Sequence, residues 1–385
     1  MYQSKYKREA EVTALPTGNS EQGGVLNSDA EFSPSPYTSR NTFNILNYCY
    51  RGSAKLIFGT LFALILLAIG PSNYADAYTE GTGDIGRHSL EGGGASVAHN
   101  THDISKGREI VFSIAQLGQP LAVITGGCVN VQTLLGSGTD PHLYRLSRAD
   151  VLKMHRANSI MNLGLHLEVQ MQSILDDMSM FKEVYSVGDM ISPAGLIQAS
   201  PGIYDPHLWM DPILWSNVLV AASYQIAYQY PECETAIMAG LDDYLEEIHT
   251  VHQEAEDVFA TIPEEKKVLV TSHDAFSYFG EQYDIKVLAI QGISTDRQIS
   301  IRRISKLVEY LVDNDISVVF VESSVNPRDM NAVIEGAASR GYKVTIGGSL
   351  YSDAMGEQGT EEGTYIGMFR HNIKTILEAW GVKDS

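Results

Sequence analysis

Glu109-Ile110-Val111-Phe112-Ser113-Ile114 is a short run of the kind that reads as a strand. The segments after it decide the fold. A helix is expected around 117–125, and then a second strand-like run, Val129-Asn130-Val131-Gln132-Thr133-Leu134-Leu135, which stops at Gly136. A helix over 147–156, opened by Ser147 and Asp150, leads to Ser159-Ile160-Met161-Asn162-Leu163, and a further helix is expected over 166–178. Strand and helix alternating in this way build a mainly parallel sheet, with ligand sites outside the carboxyl ends of its strands.

Working outward, a helix is expected after Asp211-Pro212, closing near Tyr230 before Pro231. From Glu234 to Ile262 the residues Ile237, Leu241, Tyr244, Leu245, Ile248, Val251, Ala255, Val258 and Phe259 recur near helical spacing with acidic residues between them. At 1.5 Å per residue such a helix reaches about 40 Å, enough to bridge two lobes. Beyond Pro263 the alternation restarts, with strands expected at 267–271, 286–290, 317–321 and 343–346. Helices are expected at 274–282, 298–313, 327–340 and from 363. The chain has 385 residues, which suits two α/β domains of ordinary size.

One short phrase occurs twice: Asp140-Pro141-His142-Leu143-Tyr144 and Asp205-Pro206-His207-Leu208-Trp209. Each histidine follows a proline, whose fixed φ and restricted predecessor present the imidazole from a stiff turn, as a metal ligand is best held. His273 directly follows the apolar run Val268-Leu269-Val270-Thr271-Ser272, and Asp353 closes Leu350-Tyr351-Ser352-Asp353. Three imidazoles and a carboxylate at strand ends and proline turns suit a divalent transition metal. A single histidine is more often solvated or simply hydrogen-bonded, and the spacing is not one of the short zinc patterns. The duplication is what singles these residues out.

Residues 1–53 are rich in Ser, Asn, Tyr and Gly and are expected to be a disordered leader. Within 54–77 the run Leu56–Ile69, flanked by Arg51 and Lys55 and followed by Ala75-Asp76-Ala77, is shorter than the about 20 residues of a membrane span. It has the plan of an export signal. Cleavage near Ala77, retention as an anchor through 56–70, and a misassigned start all remain open. No cysteine follows the run at a lipoprotein position; Cys49 precedes it. Residues 78–107 are expected to be a flexible linker, whose His88, His99 and His102 are read as solvated.

Residues 1–77 carry six basic and six acidic side chains, so the whole net charge of −20 belongs to the exported part. An acidic surface disfavours nucleic acid and anionic membranes as partners. An oxidising compartment would let Cys128 and Cys233 pair, and two free thiols are the alternative.

From about 108 onward the chain resembles the solute-binding proteins of zinc/manganese ABC importers, the cluster A-I family, and most of all its TroA-like branch. The resemblance rests on the two Asp-Pro-His phrases, Val270-Thr271-Ser272-His273-Asp274-Ala275-Phe276, Gln291-Gly292-Ile293-Ser294-Thr295, and Leu350-Tyr351-Ser352-Asp353 with Gly363-Thr364-Tyr365. It implies an α/β protein of two lobes, each a mainly parallel sheet flanked by helices, with one long helix bridging them and metal in the cleft between. It implies the ligand set His142, His207, His273 and Asp353. The corresponding domains are an N-terminal metal-binding lobe (108–233), a linking helix (234–262) and a C-terminal metal-binding lobe (263–385). The expected cargo is Zn²⁺, with Mn²⁺ as the alternative. The expected partner is the permease of an ABC importer, and a periplasmic or other extracytoplasmic monomer without catalysis is expected.

The His/Asp/Glu-rich loop of many zinc-specific relatives is missing between the first two ligand positions. Where manganese-specific relatives tend to carry glutamate, this chain has His273. Asp140, Asp205, Asp211, Asp274 and Glu322 are candidate acceptors for imidazole N–H groups, with capping as the alternative for Asp211 and Asp274. Rival readings are a secreted zinc hydrolase with Glu322 or Asp274 as general base, and a surface adhesin. Opening is expected to be limited by the long helix and concentrated near Asp353 and Gly347-Gly348.

Overall fold

The strand-like run at 109–114 forms strand β1 (Glu109–Phe112), with Ile110, Val111 and Phe112 all buried. The computed structural model describes residues 107–382. The expected leader, export segment and linker up to residue 106 lie outside the described residues, and with them His88, His99 and His102. β1 pairs in parallel with β2 (Asn130–Thr133) on one side and β3 (Ser159–Asn162) on the other, and β3 pairs with β4 (Glu183–Ser186). The order is β2-β1-β3-β4.

Helices α1 (Ala115–Ile124), α2 (Arg148–Arg156) and α3 (Gln172–Ser179) connect these strands. α2 begins with a reciprocal cap: Ser147 accepts from the Asp150 backbone N–H, and the Asp150 carboxylate accepts from the Ser147 N–H. α3 starts later than its periodicity predicts. Leu165 and His166 are left-handed, with φ of 52° and 64°. The chain bends there because the buried carboxylate of Glu168 reaches back to the backbone N–H groups of Leu163 and Gly164 and the hydroxyl of Ser113. A buried carboxylate needs several donors, and that need overrides helix periodicity here. A small antiparallel pair, β5 (Gln198–Ser200) with β6 (Ile203–Tyr204), precedes α4 (Pro212–Gln229).

The long helix is α5 (Glu234–Phe259), whose 26 residues span about 39 Å. It ends before the expected Ile262, since Pro263 disfavours helical geometry at the residue before it. Ile237, Leu241, Tyr244, Ile248, Val251, Ala255 and Phe259 form its buried stripe.

The second lobe continues as β7 (Val268–Thr271), α6 (Ser277–Tyr283), β8 (Lys286–Ala289), α7 (Ile301–Asp313), β9 (Val318–Glu322), α8 (Arg328–Ser339), β10 (Thr345–Leu350) and α9 (Tyr365–Ala379). β7 pairs in parallel with β8, β9 pairs in parallel with β10, and β7 lies beside β9. The architecture is the expected α/β one of two lobes joined by one long helix. Gly347 and Gly348 are part of β10 rather than the loop joint that glycines there suggest. A Cβ on Gly347 would lie 2.6 Å from the Cβ of Ala379, and one on Gly348 2.3 Å from Cγ2 of Thr375. They are glycines because α9 sits directly on them.

α5 packs against α1 and α4 of the first lobe and against α6 and α9 of the second. A Cβ on Gly240 would lie 2.3 Å from the carbonyl oxygen of Ile124, so the approach of α5 to α1 is very close. The main core is therefore continuous across the lobes. It runs from Ile110 and Leu117 through Trp215 and Tyr365 to Phe279, Phe369 and Phe259. Phe279 meets Phe259 at 5.5 Å and Phe369 at 5.7 Å between ring centres. A second, smaller core lies within the C-terminal lobe, where α7 and α8 contribute Leu307, Val308, Leu311, Met330 and Val333.

Cys128 and Cys233 form a disulfide, which settles the alternative their sequence left open. It ties the loop before β2 to the residue that opens α5. The bridge joins residues 105 positions apart, and closing a loop of that length stabilises by restricting the unfolded chain. Replacing both cysteines with serine should lower unfolding free energy by roughly 2–4 kcal/mol. Urea unfolding of the two forms measures this, and equal midpoints would show that the bridge contributes nothing.

Candidate metal centre

The repeated Asp-Pro-His phrase makes the same turn twice. The His142 N–H donates to Asp140 Oδ1 at 2.8 Å, and the His207 N–H donates to Asp205 Oδ1 at 3.0 Å. Each aspartate thus closes a turn over the intervening proline and sets the backbone that carries the imidazole. Beyond that point the copies diverge. Asp205 Oδ1 also contacts Nδ1 of its own His207 at 2.6 Å, whereas Asp140 Oδ2 accepts from the Thr295 hydroxyl at 2.5 Å. His142 Nδ1 has no hydrogen-bond partner.

His273 sits just past β7 and is held by Glu322 at the end of β9. One carboxylate oxygen accepts from its backbone N–H at 2.9 Å and the other faces ring Nδ1 at 2.5 Å. Asp353 lies just beyond β10. The C-terminal ends of strands in the second lobe and two turns of the first thus bring together all four residues singled out in the sequence.

Their ligand atoms all lie within 4.8 Å of one another. His142 Nε2 is 3.4 Å from His207 Nε2. Asp353 lies 3.3 Å from His207 Nε2, 3.1 Å from His273 Nε2 and 3.8 Å from His142 Nε2. All four residues are at most 2% exposed. Both oxygens of Asp353 are buried without a hydrogen-bond donor. A cation bound at 2.0–2.2 Å by four tetrahedral ligands sets them roughly 3.3–3.6 Å apart, which is the scale of these separations. His155 and His166 do not belong to this cluster.

Electrostatics inside the site reflect burial and which imidazole has a carboxylate of its own. Burial pushes His142 down to about 4, against the pull of Asp353. Burial also works against charge on His207, but Asp205 and Asp353 together outweigh it and raise that imidazole to about 9. His273 is likewise raised despite burial, by Asp353 and Glu322. Asp353 is held well below the usual carboxylate range; burial opposes this, and the charges of the surrounding imidazoles, His273 foremost, prevail.

Of the five candidate acceptors, Asp205 and Glu322 hold imidazole rings. Asp140 holds the backbone of His142. Asp211 caps α4 by accepting from the N–H groups of Ile213 and Leu214, and Asp274 accepts from the Ser277 hydroxyl. Both oxygens of Glu322 contact His273, so this carboxylate is placed to orient an imidazole.

Several residues that secure the site are not legible from the sequence. Trp209 Nε1–H donates to the Ser352 carbonyl at 2.8 Å, tying the residue beside Asp353 to the first lobe. Tyr278 O–H donates to the Asp205 carbonyl at 2.8 Å and accepts from the Ile197 N–H. Tyr365 O–H donates to the Trp209 carbonyl. A signal for Trp209 does exist: it occupies, in the second Asp-Pro-His phrase, the place that Tyr144 has in the first.

The model of a protein family described as "Zinc-uptake complex component A periplasmic" matches residues 110–379. The manganese-binding lipoprotein MntA of Bacillus subtilis is 42% identical over 272 residues, covering 70% of this chain and 89% of that protein. The zinc-binding protein TroA of Treponema pallidum is 33% identical over 270 residues, covering 70% of this chain and 88% of that protein. Its solved structure superposes with a TM-score of 0.70 at 32% identity, over 72% of this chain and 99% of that one. The Fe(III)-bound structure of YtgA from Chlamydia trachomatis gives a TM-score of 0.65 at 26% identity, over 72% of this chain and 99% of that one.

In the metal-free protein the imidazoles should titrate far apart, which nuclear magnetic resonance of labelled histidine can track. His142 should stay neutral down to about 4 and His207 protonated up to about 9. A raised histidine adds stability that is fully present below its ordinary value of 6.5 and is lost as pH rises through its folded value. The His207 contribution should therefore fade between neutral pH and about 9. A common midpoint near 6.5 for all buried imidazoles would contradict this arrangement.

Proposed function

The chain belongs to the periplasmic zinc-uptake component A family, and from that premise we propose that it is an extracytoplasmic solute-binding protein. It captures a divalent transition metal between its lobes and delivers it to the membrane permease of an ABC importer. The ligands are His142, His207, His273 and Asp353. One observation carries the assignment: two buried carboxylate oxygens that no donor satisfies face three imidazole nitrogens. A buried carboxylate in such a place requires a positive partner, and a metal ion supplies one to all four groups together.

The donor set favours zinc, because imidazole suits Zn²⁺ and the stability order places it above Mn²⁺ at nitrogen-rich sites. Manganese is the alternative cargo. The names of the relatives divide in the same way, one for manganese and one for zinc. Both oxygens of Asp353 face the centre, so a metal that wants a fifth donor can take the second oxygen without help from outside.

Capture and release need no catalytic step. Four protein donors complete a tetrahedral shell, whereas a hydrolytic zinc keeps one position for water. His142 and His207 come from the first lobe, His273 and Asp353 from the second, so the metal clasps the lobes together. The core that α5 makes continuous between them supports a small opening rather than wide separation. We assign 108–233 and 263–385 to the two metal-binding lobes and 234–262 to the link. The protein acts as a monomer, exported by the apolar segment at 54–77 or anchored through 56–70. No helix among the described residues is long and apolar enough to cross a membrane.

Protein recovered from its own compartment should carry about one equivalent of zinc or manganese by elemental analysis, as a site of one four-donor shell requires. His142→Ala, His207→Ala and His273→Ala should each weaken binding by more than the roughly 10- to 100-fold that loss of an outer hydrogen-bond partner costs. Circular dichroism should show an unchanged fold. Wild-type affinity in all three variants would sink the assignment.

A further inference from the structure

The three imidazoles of the site are not held alike. His207 and His273 each face a carboxylate of their own through Nδ1, at 2.6 Å from Asp205 and 2.5 Å from Glu322. His142 has no such partner, and its Nε2 stands farthest from Asp353, at 3.8 Å. What positions it is the turn closed by Asp140. That carboxylate spends one oxygen on the His142 N–H and the other on the Thr295 hydroxyl of the opposite lobe.

Thr295 is delivered by a loop built for reach. Gln291 leaves β8 with its N–H bonded to the Ser272 carbonyl, next to His273, and the Gly292 carbonyl accepts from the Asp274 N–H. The Gln291 side chain then braces the turn by donating to the carbonyls of Thr295 and Arg297, at 3.2 and 3.1 Å. Thr295 ends 8% exposed with its hydroxyl on Asp140. The loop therefore runs from the backbone of one histidine to the turn that carries another, across the gap between lobes.

We propose that Thr295 is the positioning residue that sets how long the metal is held: its hydroxyl, through Asp140, keeps His142 on the metal, and His142 is the ligand that departs first when the lobes part. This rests on the reading of His142, His207, His273 and Asp353 as a metal cage and adds an order to its opening. The word Gln291-Gly292-Ile293-Ser294-Thr295, to which the ligand set gives no role, receives one. Hydrogen bonds to charged groups are among the stronger ones, and this one is made only when both lobes are in place.

The test is dissociation of Zn²⁺ from the loaded protein into excess chelator, measured by stopped flow, for wild type, Thr295→Val and Thr295→Ser. Valine keeps the shape and removes the hydroxyl, and should speed release on the order of tenfold. Serine should restore a rate near that of wild type. The metal-free melting temperature of Thr295→Val should stay within about 2 °C of wild type, since its effect is on the closed, loaded form. A release rate for valine within about twofold of wild type overturns the inference and leaves the cage reading standing, because a tenfold effect is what one such bond is worth. Rapid release together with an equal loss of metal-free stability also overturns it, showing a merely structural threonine. Wild type that holds no zinc at the start removes the cage itself.

Discussion

Asp353 places two carboxylate oxygens in the interior with no hydrogen bond to satisfy them, and with three imidazole nitrogens between 3.1 and 3.8 Å away. An arrangement of that kind is costly to leave without a cation and is tolerated because everything near it is fixed. Two of the imidazoles are locked by carboxylates behind them, Asp205 and Glu322. Those carboxylates are themselves fixed, Asp205 through the Tyr278 contact to its carbonyl and Glu322 by its place at the end of β9. The ring orientations are thus set before any ion arrives, which lowers the cost of assembling the site on binding.

The scaffold explains why closure across two lobes is feasible without a wide hinge. α5 contributes one buried stripe that faces both lobes, and Gly240 lets it approach α1 closely enough for the core to run without interruption. Trp209, Tyr278 and Tyr365 then stitch the lobes with hydrogen bonds beside the site itself. Interiors packed in this way shift between discrete arrangements rather than deforming smoothly. The 291–297 loop crosses the gap more lightly, by the side-chain contact of Thr295 with Asp140.

Much of this is legible in the sequence, for identifiable reasons. Apolar runs such as 109–114 betray strands, and the stripe from Ile237 to Phe259 betrays the long helix. The Asp-Pro-His repeat points to ligands because proline and aspartate leave the turn few alternatives. The features that are not legible depend on contacts between distant residues. Periodicity misplaces the start of α3 because Glu168 bends the chain toward Ser113, a partner remote in sequence. Gly347 and Gly348 suggest flexibility, whereas the presence of α9 above them is what demands their size. Periodicity likewise does not separate Asp205 and Glu322, which hold imidazoles, from Asp211, which caps a helix, and Asp274, which accepts from the Ser277 hydroxyl.

X-ray absorption at the zinc edge of the stoichiometrically loaded protein tests the central claim most directly. Four or five nitrogen and oxygen neighbours at about 2.0–2.2 Å, with the outer-shell scattering of three imidazoles and no sulfur, is the result the cage requires. A shell dominated by water, or one with fewer than three imidazoles, would mean that the four converging side chains are not where the metal is held.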